Sequence, residues 1–509
     1  MNSQKRPAIQ RFMQYVRNPG HHIIRAFAAL SVGWLAGCAV LEAPTVHDHL
    51  HKSRQAHGLN TCINNFTVMD RVTETVADAE AARIPGFPYL RVNRFLASFA
   101  NSKLHGKAFT RWLTHLRTLD RQARKYEFSN LPAQTQARLK NLPGQLERCA
   151  ARLMAHDSQN EGIRRRLIKA ARAPDSYQRW AQVAGLYPLS VIPVRFGIMH
   201  LQKRQRNDFQ TVQQPGDLNV YTPITNATYD PKIIQAIFHR AKPDALGIPL
   251  FENGDLKHLV SMSAPVIQVI EKSNDDKPGH MMYGTNGTLQ IDTSRPVLYH
   301  RLAFTRFRGR VLTQLVYTVW FPARTAQGPL DIFAGTLDGI MWRVTLDEDG
   351  RPMVYDTIHP CGCYHLFFPV KPWALAAAEQ HGFFGEPPIA PIPGPLLAKG
   401  QRVHISLKPA THYVSGVSAK QTDHNNARRY RLTPASTLRS LKHPTGSKSL
   451  YGPNGLIDIS ARPERFLLWP MGVPSAGTMR QWGHHATAFI GTRHFDDADL
   501  FERILTRKR

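Results

Sequence analysis

The stretch PVLYHRLAFTRFRGRVLTQLVYTVWF (residues 296–321) decides the fold class of the second half of this 509-residue chain. Side chains alternate in polarity on both sides of Arg308-Gly309, which is typical of two β-strands joined by a tight turn. A second hairpin is predicted in GIMWRVTLDEDGRPMVYDTIH (339–359), around Asp349-Gly350. Further strands are predicted in RVHISLKPATHYVSGVS (402–418) and RYRLTP (429–434). This half is therefore predicted to be β-rich and mainly antiparallel.

The first half of the chain shows a helical period instead. In KAFTRWLTHLRTLDRQARKYEF (107–128), apolar residues recur at three- and four-residue spacing and form one stripe. Similar patterns predict helices in RVNRFLASFANSKL (91–104), QARLKNLPGQLERCAARLMAH (136–156) and SYQRWAQVAGL (176–186). The sequence thus predicts an α+β protein, with a helical N-terminal domain (76–204) followed by a β-rich domain (205–509).

The most hydrophobic stretch beyond the N-terminus is LYPLSVIPVRFGIMHL (186–201). Pro188, Pro193 and Arg195 interrupt it, so it does not have the pattern of a membrane-spanning helix. Its composition predicts part of the core or a buried connector.

The N-terminal residues have the pattern of an export signal. Five basic residues and no acidic one precede the apolar run AFAALSVGWLAG (26–37), which is too short to span a bilayer as a helix. The run ends in Leu35-Ala36-Gly37-Cys38, which resembles the lipobox of bacterial lipoproteins. The resemblance implies removal of a signal peptide (1–37) and acylation of Cys38, including palmitate. Residues 38–75 would then form a tether.

The lipobox resemblance also implies a location. Ala39, which follows the acylated cysteine, implies sorting to the outer membrane, on the side that faces the periplasm. The membrane is then a partner of this protein through its N-terminal lipid anchor.

The charge of the chain restricts its partners. The formal net charge is +28, and removal of the five signal-peptide cations leaves 28 − 5 = +23. Outside the cytoplasm, nucleic acid is not an expected partner. Anionic lipid or lipopolysaccharide is the kind of component that this charge attracts, and a solvated surface with no partner is the alternative.

Four cysteines remain once Cys38 is set aside. Free thiols are the exception in an oxidising compartment. We predict a disulfide between Cys62 and Cys149, which would attach the segment after the anchor to the helical domain.

The other two cysteines lie in IHPCGCYH (358–365) and are called the CGC pair here. His359, Cys361, Cys363 and His365 are donors that zinc or copper prefers. In a straight strand the two histidines would stand roughly 20 Å apart, so one ion requires a bend, which Pro360 and Gly362 favour. A site with two or three ligands from this stretch, completed from another strand, is favoured over one with all four ligands from the stretch, and His300 on a strand of the same predicted sheet is the further candidate ligand. The alternatives are a strained CGC disulfide with a redox role and a purely structural role.

Additional candidate ligands are His280, His484, His485, His494, Asp496 and Asp497. Asp331 and Asp338 have the composition of an acid–base pair but equally of turn-forming residues. H-E-x-x-H, G-x-S-x-G, Walker and C-x-x-C-H motifs are absent from the sequence.

Three functions follow as hypotheses. The first is a metal-binding envelope lipoprotein, with or without enzymatic activity. The second is a non-catalytic lipoprotein that binds an anionic surface component or a protein. The third is a thiol–disulfide protein that uses the CGC pair. No particular reaction is predicted.

Overall fold

The structure is a computed structural model that describes Arg54 and residues 57–101, 103–210, 218–225, 227–377, 382–423 and 426–508. The chain forms two compact units, Met1–Thr61 and Cys62–Arg509. In the first unit only Arg54 and residues 57–61 are described. Cys38 and the signal segment lie outside the described residues, and the site is built in the second unit.

Helices dominate the described chain from Asn60 to Gln210. They are α1 (Asn60–Val72), α2 (Arg94–Ala97), α3 (Gly106–Ser129), α4 (Ala133–Arg138), α5 (Leu142–Gln159), α6 (Glu161–Ala170), α7 (Arg179–Ala184) and α8 (Tyr187–Gln210). α1 lies within the range predicted to be a tether. Later in the chain come α9 (Pro231–Arg240), α10 (Asn253–Ser263), α11 (Arg465–Leu468) and α12 (Leu500–Ile504).

The predicted apolar stripe holds α3 in place. Phe109, Trp112, Leu113 and Leu116 are all buried on one side of the helix. The prediction of a helix over 91–104 is wrong in its extent.

A small hairpin occupies the start of that range. It consists of β1 (Ala82–Ile84) and β2 (Phe87–Val92). The buried guanidinium of Arg91 pairs with Asp120 and Glu127 of α3, which keeps this residue in the strand. The side chain of Asn93 then caps the short α2, as asparagine commonly does at a helix start.

The remaining strands form one large sheet and several small ribbons. They are β3 (Leu218–Pro223), β4 (Val266–Ile270), β5 (His280–Tyr283), β6 (Leu289–Asp292), β7 (Val297–Phe307), β8 (Arg310–Arg324), β9 (Gly335–Leu346), β10 (Pro352–Ile358), β11 (Leu366–Pro369), β12 (Trp373–Leu375), β13 (Gln401–Leu407), β14 (Val414–Gln421), β15 (Arg428–Pro434), β16 (Leu441–His443), β17 (Gly446–Lys448) and β18 (Leu505–Arg507).

The large sheet has ten strands in the order β11-β10-β9-β8-β7-β15-β3-β4-β13-β14. β7 to β11 form an antiparallel meander. β15 is parallel to both of its neighbours, and β13 is parallel to β4. The predicted α+β class with a mainly antiparallel sheet is confirmed, and the parallel pairings are an addition that strand periodicity does not reveal.

Both predicted hairpin turns are present. Arg308 and Gly309 have φ of 50° and 78°, which matches a two-residue turn whose central residues both need positive φ. Gly350 has φ of 78° in the turn between β9 and β10. The turn residues therefore set the register of the central strands.

The central strands are covered on both faces. Leu315, Tyr317 and Val319 of β8 join the main core, which also includes residues of α9 and α10. Val316 and Trp320 of the same strand belong to smaller cores on the opposite face. A side chain on either face of β8 is thus shielded from water. His359, Cys361, Cys363 and His365 follow β10, two strands away in the sheet, and are buried as well, whereas His300 on β7 is half-buried.

Candidate functional site

The run 359–365 connects β10 to β11 as a tight loop. The His359 N–H donates to the Cys363 carbonyl at 3.0 Å, and the Gly362 N–H donates to the His359 carbonyl at 2.7 Å. Gly362 has φ of +97°, and a Cβ there would lie 2.2 Å from the carbonyl oxygen of Ala486. Only glycine fits this conformation and this close approach. The loop therefore contains the bend that its glycine predicts.

The first histidine of the loop bonds to a carboxylate at the centre of a buried cluster. His359 Nδ1 lies 3.1 Å from Oδ1 of Asp338 on β9, and His412 Nδ1 lies 2.8 Å from Oδ2. His412 Nε2 lies 3.6 Å from Asp276 Oδ1, and Arg462 Nη2 donates to Asp338 Oδ1 at 3.4 Å. We call these five residues the Asp338 cluster. Asp338 and His412 are fully buried.

Burial and hydrogen bonding set the charges in this cluster. Burial alone would raise the pKa of Asp338, but His359, His412 and Arg462 hold it well below its usual range. Burial alone would lower the pKa of His412, but its bonds to Asp276 and Asp338 raise it. The pKa of His359 is lowered by burial, despite its bond to Asp338. The arrangement is a carboxylate that holds a charged imidazole and a neutral one.

The neutral imidazole has little space around it. His359 Nε2 has no hydrogen-bond partner among the residues that the structure describes. A cavity of about 10 Å³ lies beside this ring, which is space for roughly one water molecule. Its other lining residues are Gln205, Ile340, Thr357, Tyr364, Leu366, Tyr413 and Val414. An Asp–His pair is present, but a substrate has no room here.

The second histidine of the loop faces a different carboxylate. His365 Nε2 lies 2.8 Å from Asp356 Oδ2, and Arg343 Nε donates to Asp356 Oδ1 at 2.8 Å. The Arg343 guanidinium stacks on the ring of Phe495 at 3.8 Å. Burial lowers the pKa of His365 to about 4, so this ring is neutral near pH 7. The two histidines thus orient toward separate aspartates.

The CGC pair is buried, and no disulfide joins its two sulfurs in the structure. The Cys363 N–H donates to Cys361 Sγ at 3.4 Å, and the Arg480 Nε–H donates to the Cys361 carbonyl at 3.1 Å. A hydrogen bond from the Cys363 thiol lowers the pKa of Cys361 and raises that of Cys363. Burial raises the pKa of nearby Glu464 to about 7. The two sulfurs are adjacent but shielded from solvent.

His300 is remote from the loop. The sheet register joins His300 on β7 to Tyr317, Trp342 and Thr357 on the next three strands. Three strand spacings of about 4.8 Å separate His300 from Thr357 by roughly 14 Å. One ion does not bridge such a distance, so the structure does not bring His300 together with the CGC pair.

The additional candidate ligands also contact separate partners and do not meet at one point. His484 Nε2 bonds to the Ala79 carbonyl at 2.7 Å, and His280 Nδ1 lies 3.1 Å from the Tyr299 hydroxyl. His494 contacts Asp497. His485 and Asp496 are buried, and Arg94 Nε lies 3.5 Å from Asp496 Oδ1.

Within the described ranges, no group of three or more His, Cys, Asp or Glu side chains is arranged to hold a metal ion. A zinc or copper ion bound by His359, Cys361, Cys363 and His365 therefore stays a prediction that these contacts do not support.

The other two cysteines form a crosslink. The sulfur atoms of Cys62 on α1 and Cys149 on α5 are 2.06 Å apart and the Cα atoms 5.1 Å apart, which is a disulfide. This is the pairing that the sequence predicts.

Sequence reasoning did not identify His412, Asp276 or Arg462. Asp338 was noted only as one of two ambiguous carboxylates. His412 lies in the turn between β13 and β14 with φ of 51°, and 338 and 412 are 74 residues apart. The alternation of polar and apolar residues in 402–418 predicts strands but does not indicate the contact between His412 and Asp338.

A large cleft opens elsewhere on the second unit. It has a volume of about 1280 Å³ and lies between α6, the chain after α2, the β7–β8 turn and the chain before α12. Its basic lining residues are Arg94, Arg164, Arg165, Lys169, Arg172, Arg306 and Arg308, and its acidic ones are Glu161, Asp175, Asp497, Asp499 and Glu502.

Most of these carboxylates already have basic partners. Glu161 pairs with Arg165, Asp175 with His494, and Asp497 and Asp499 with Arg503. Five cations have no carboxylate within ion-pair distance in the described part of the chain. We call them the cleft cations: Arg164, Lys169, Arg172, Arg306 and Arg308.

Aromatic rings orient three of the cleft cations. Arg164 lies over Phe109 at 5.5 Å, Arg306 over Phe99 at 4.8 Å, and Arg308 over Trp373 at 5.1 Å. Such stacking fixes a guanidinium without neutralising it. The cleft therefore presents positive charge that the described residues do not balance.

Comparisons with protein-family models, with curated proteins and with solved structures found no match.

Proposed function

We propose that this chain is a non-catalytic lipoprotein of the cell envelope whose cleft binds an anionic, phosphate-bearing lipid component of that envelope. The observation that carries the proposal is the set of cleft cations, which line one cleft and have no carboxylate partner among the residues whose positions are described. The Asp338 cluster and the CGC pair support the non-catalytic part, because the cavity beside His359 measures only about 10 Å³ and both sulfur-bearing side chains are shielded from solvent.

The chemistry of the lining favours a phosphate on an amphiphile. Guanidinium groups bind phosphate oxygens through paired N–H donors. Arg306 already donates one guanidinium N–H to the Ser98 carbonyl at 2.7 Å, whereas the guanidiniums of Arg164 and Arg308 stack on aromatic rings and donate to no described residue. Apolar side chains line the same cleft, including Leu104, Phe109, Ile168 and Phe307. At about 1280 Å³ the cleft exceeds the usual 300–1,000 Å³ of a small-molecule pocket. A lipid headgroup, together with part of the hydrophobic portion of the same lipid, suits a cleft of this volume.

The charge of the whole chain acts in the same direction. The formal net charge is +28 for the whole chain and +23 after the predicted removal of the signal peptide, and either value raises the local concentration of anionic ligands around the protein. The lipid anchor implied by the lipobox resemblance would hold the cleft close to the membrane that supplies such ligands.

The test is a calorimetric titration with dihexanoyl phosphatidylglycerol below its micellar concentration. Saturable binding is expected, weaker at high salt because exposed charges are screened. Inorganic phosphate is titrated in parallel, and it is expected to bind more weakly because it lacks the apolar part. Dihexanoyl phosphatidylcholine is the zwitterionic control.

A matched pair of variants locates the site. Lys169→Gln/Arg172→Gln removes two exposed cleft cations and is expected to weaken binding at least tenfold. Arg121→Gln/Arg148→Gln removes the same charge from exposed positions outside the cleft lining and is expected to change binding less than twofold. Equal effects of the two variants, or no saturable binding by the parent chain, contradict the proposal.

A further inference from the structure

The hydrophobic run 186–201 is not buried, contrary to the prediction from its composition. It forms the first part of α8 after the end of α7, and most of its large apolar side chains face away from the protein. Leu189 and Phe196 are each 66 % exposed, whereas Val191 on the other side of α8 is fully buried. The helix therefore packs on the protein through its opposite face.

The spacing shows that this exposure is organised. Leu189, Ile192, Phe196 and Met199 stand at three- and four-residue intervals, so they form one stripe along α8. Such a stripe usually faces a core. Here none of its four members is buried by the described part of the chain.

Two other segments extend the same apolar surface. Trp180 and Val183 are 66 % and 74 % exposed on α7, and Phe466 and Leu467 of α11 are similarly exposed. Gly185, at the end of α7, packs directly against Pro470, which places α11 and the turn after it beside α7.

The third segment lies beside α8. Arg195 donates to the Phe383 carbonyl at 2.7 Å, and its guanidinium lies over the Phe383 ring at 4.9 Å. Phe383 and Phe384 are both exposed. We call the combined surface the apolar face; its members are Trp180, Val183, Leu186, Leu189, Ile192, Phe196, Met199, Phe383, Phe384, Phe466, Leu467 and Trp469.

Exposed basic residues flank the segments that form the apolar face. Residues 176–207 contain no Asp or Glu. The same range contributes Arg179, Arg195, Lys203, Arg204 and Arg206, and α11 begins with Arg465. None of these six cations pairs with a carboxylate among the residues described.

An apolar face with a basic rim matches an anionic lipid surface. Aromatic and aliphatic side chains enter the boundary between headgroups and acyl chains, while flanking Lys and Arg contact anionic headgroups. Soluble monomers rarely expose contiguous apolar patches of this kind. A symmetric dimer through this face would bring two basic rims together, and their repulsion opposes that arrangement.

The helix lies on a membrane in this arrangement and does not cross it. Among the helices that the structure describes, none combines the length and the hydropathy of a membrane span. Only one side of α8 is apolar and exposed, which is the pattern of an interfacial helix.

We propose that the apolar face is a membrane-docking surface that inserts into the interfacial layer of an anionic bilayer. It is separate from the cleft and does not depend on the cleft binding any ligand. It adds a second point of membrane attachment to the lipid anchor implied at the N-terminus, and two attachments together hold a protein more stably than one.

The experiment is flotation of the full chain with vesicles of phosphatidylcholine and phosphatidylglycerol in a 7:3 ratio. All proteins carry Cys38→Ser, so that acylation does not contribute to binding. The parent is expected to float with these vesicles and to bind at least fivefold more weakly to pure phosphatidylcholine, because the basic rim then lacks anionic headgroups.

Two variants separate this face from other exposed apolar residues. Leu189→Glu/Phe196→Glu is expected to weaken binding to the anionic vesicles at least tenfold. Ile233→Glu/Leu250→Glu makes the same chemical change at positions that are 49 % and 48 % exposed and lie outside the apolar face, and is expected to reduce binding less than twofold. Circular dichroism and thermal melting of both variants establish that each has the parent fold.

Parent binding that is unchanged in Leu189→Glu/Phe196→Glu overturns the proposal. Failure of the parent to bind vesicles overturns it as well. Sedimentation analysis then identifies the alternative occupant: a dimer that dissociates in Leu189→Glu/Phe196→Glu assigns the face to a second copy of the chain. Binding of soluble dihexanoyl phosphatidylglycerol in the cleft is measured separately, so failure of one proposal is distinguishable from failure of the other.

Discussion

Replacement of Asp338 by asparagine is expected to destabilise the fold through the buried Asp338 cluster. The side chain keeps its size but loses the negative charge that faces His359 at 3.1 Å, His412 at 2.8 Å and Arg462 at 3.4 Å. In the variant, the imidazolium of His412 and the guanidinium of Arg462 remain buried with one carboxylate fewer.

The size of the effect follows from the burial of all these groups. Removal of one partner from a buried ion pair typically costs about 3–5 kcal/mol, because an uncompensated charge is left in a medium of low polarity. Asp276 still partners His412, and the asparagine carbonyl still accepts one hydrogen bond. We therefore expect the free energy of unfolding to fall by about 3 kcal/mol.

The same cluster predicts a pH dependence. The pKa of Asp338 is lowered in the fold, so its contribution is present above the unfolded value of 3.8 and is lost as pH falls toward the folded pKa. The pKa of His412 is raised, so its contribution is present below 6.5 and is lost as pH rises through the folded pKa. The difference between parent and Asp338→Asn is expected to be largest between these two pH values.

The assay is urea unfolding followed by tryptophan fluorescence and near-ultraviolet circular dichroism across that pH range. Asp255→Asn is the matched control, because Asp255 pairs with an exposed Arg240 at 2.8 Å and solvent screening makes the contribution of such a pair small. If Asp338→Asn loses no more stability than Asp255→Asn at every pH, the reasoning about the cluster is refuted.

Three further predictions concern the crosslink, the loop and the thiols. Loss of the disulfide in Cys62→Ala/Cys149→Ala is expected to lower the free energy of unfolding by about 4–5 kcal/mol, since the bond closes a loop over a separation of 87 residues. A melting temperature equal to that of the parent contradicts this expected loss of stability. Gly362→Ala is expected to lower the free energy of unfolding in urea by well over 1 kcal/mol, because the added Cβ meets the Ala486 carbonyl. Gly309→Ala is the control: its Cβ has open space, so only the positive φ destabilises it. Equal losses in the two variants contradict the steric argument. If the CGC pair holds zinc or copper, metal analysis of the purified chain is expected to find one equivalent, and serine at both positions of the pair removes it; a metal-free parent chain contradicts that prediction.

Much of the fold could be predicted because its determinants are local. The alternation of polar and apolar residues, with the Arg308-Gly309 turn, predicted the central hairpin. The apolar stripe predicted α3, a long helix of the N-terminal half that is buried on one side. The Cys62–Cys149 pair could be predicted by counting thiols once an oxidising compartment was inferred. The parallel neighbours of β15 could not be predicted, because they depend on which segments meet after long connections.

The candidate site was predicted less well, and the reason is geometric. The bend at Gly362 was predicted, but a bend does not specify what each side chain meets. His359 and His365 face two different aspartates, and the other partners of Asp338 come from His412 and Arg462, far along the chain. No spacing rule connects residues that approach only through sheet register and the packing of loops.

By itself, the sequence determined the α+β class, the central hairpins and the excess of positive charge, because period, turn chemistry and composition are properties of neighbouring residues. The tertiary structure alone decided which cleft cations lack a carboxylate partner within the described ranges, and that His359 and His365 bond to different aspartates. It also decided that the hydrophobic run 186–201 faces outward. Hydropathy gives the free energy gained when such a surface leaves water, but only the arrangement of the other elements determines whether the chain itself covers that surface.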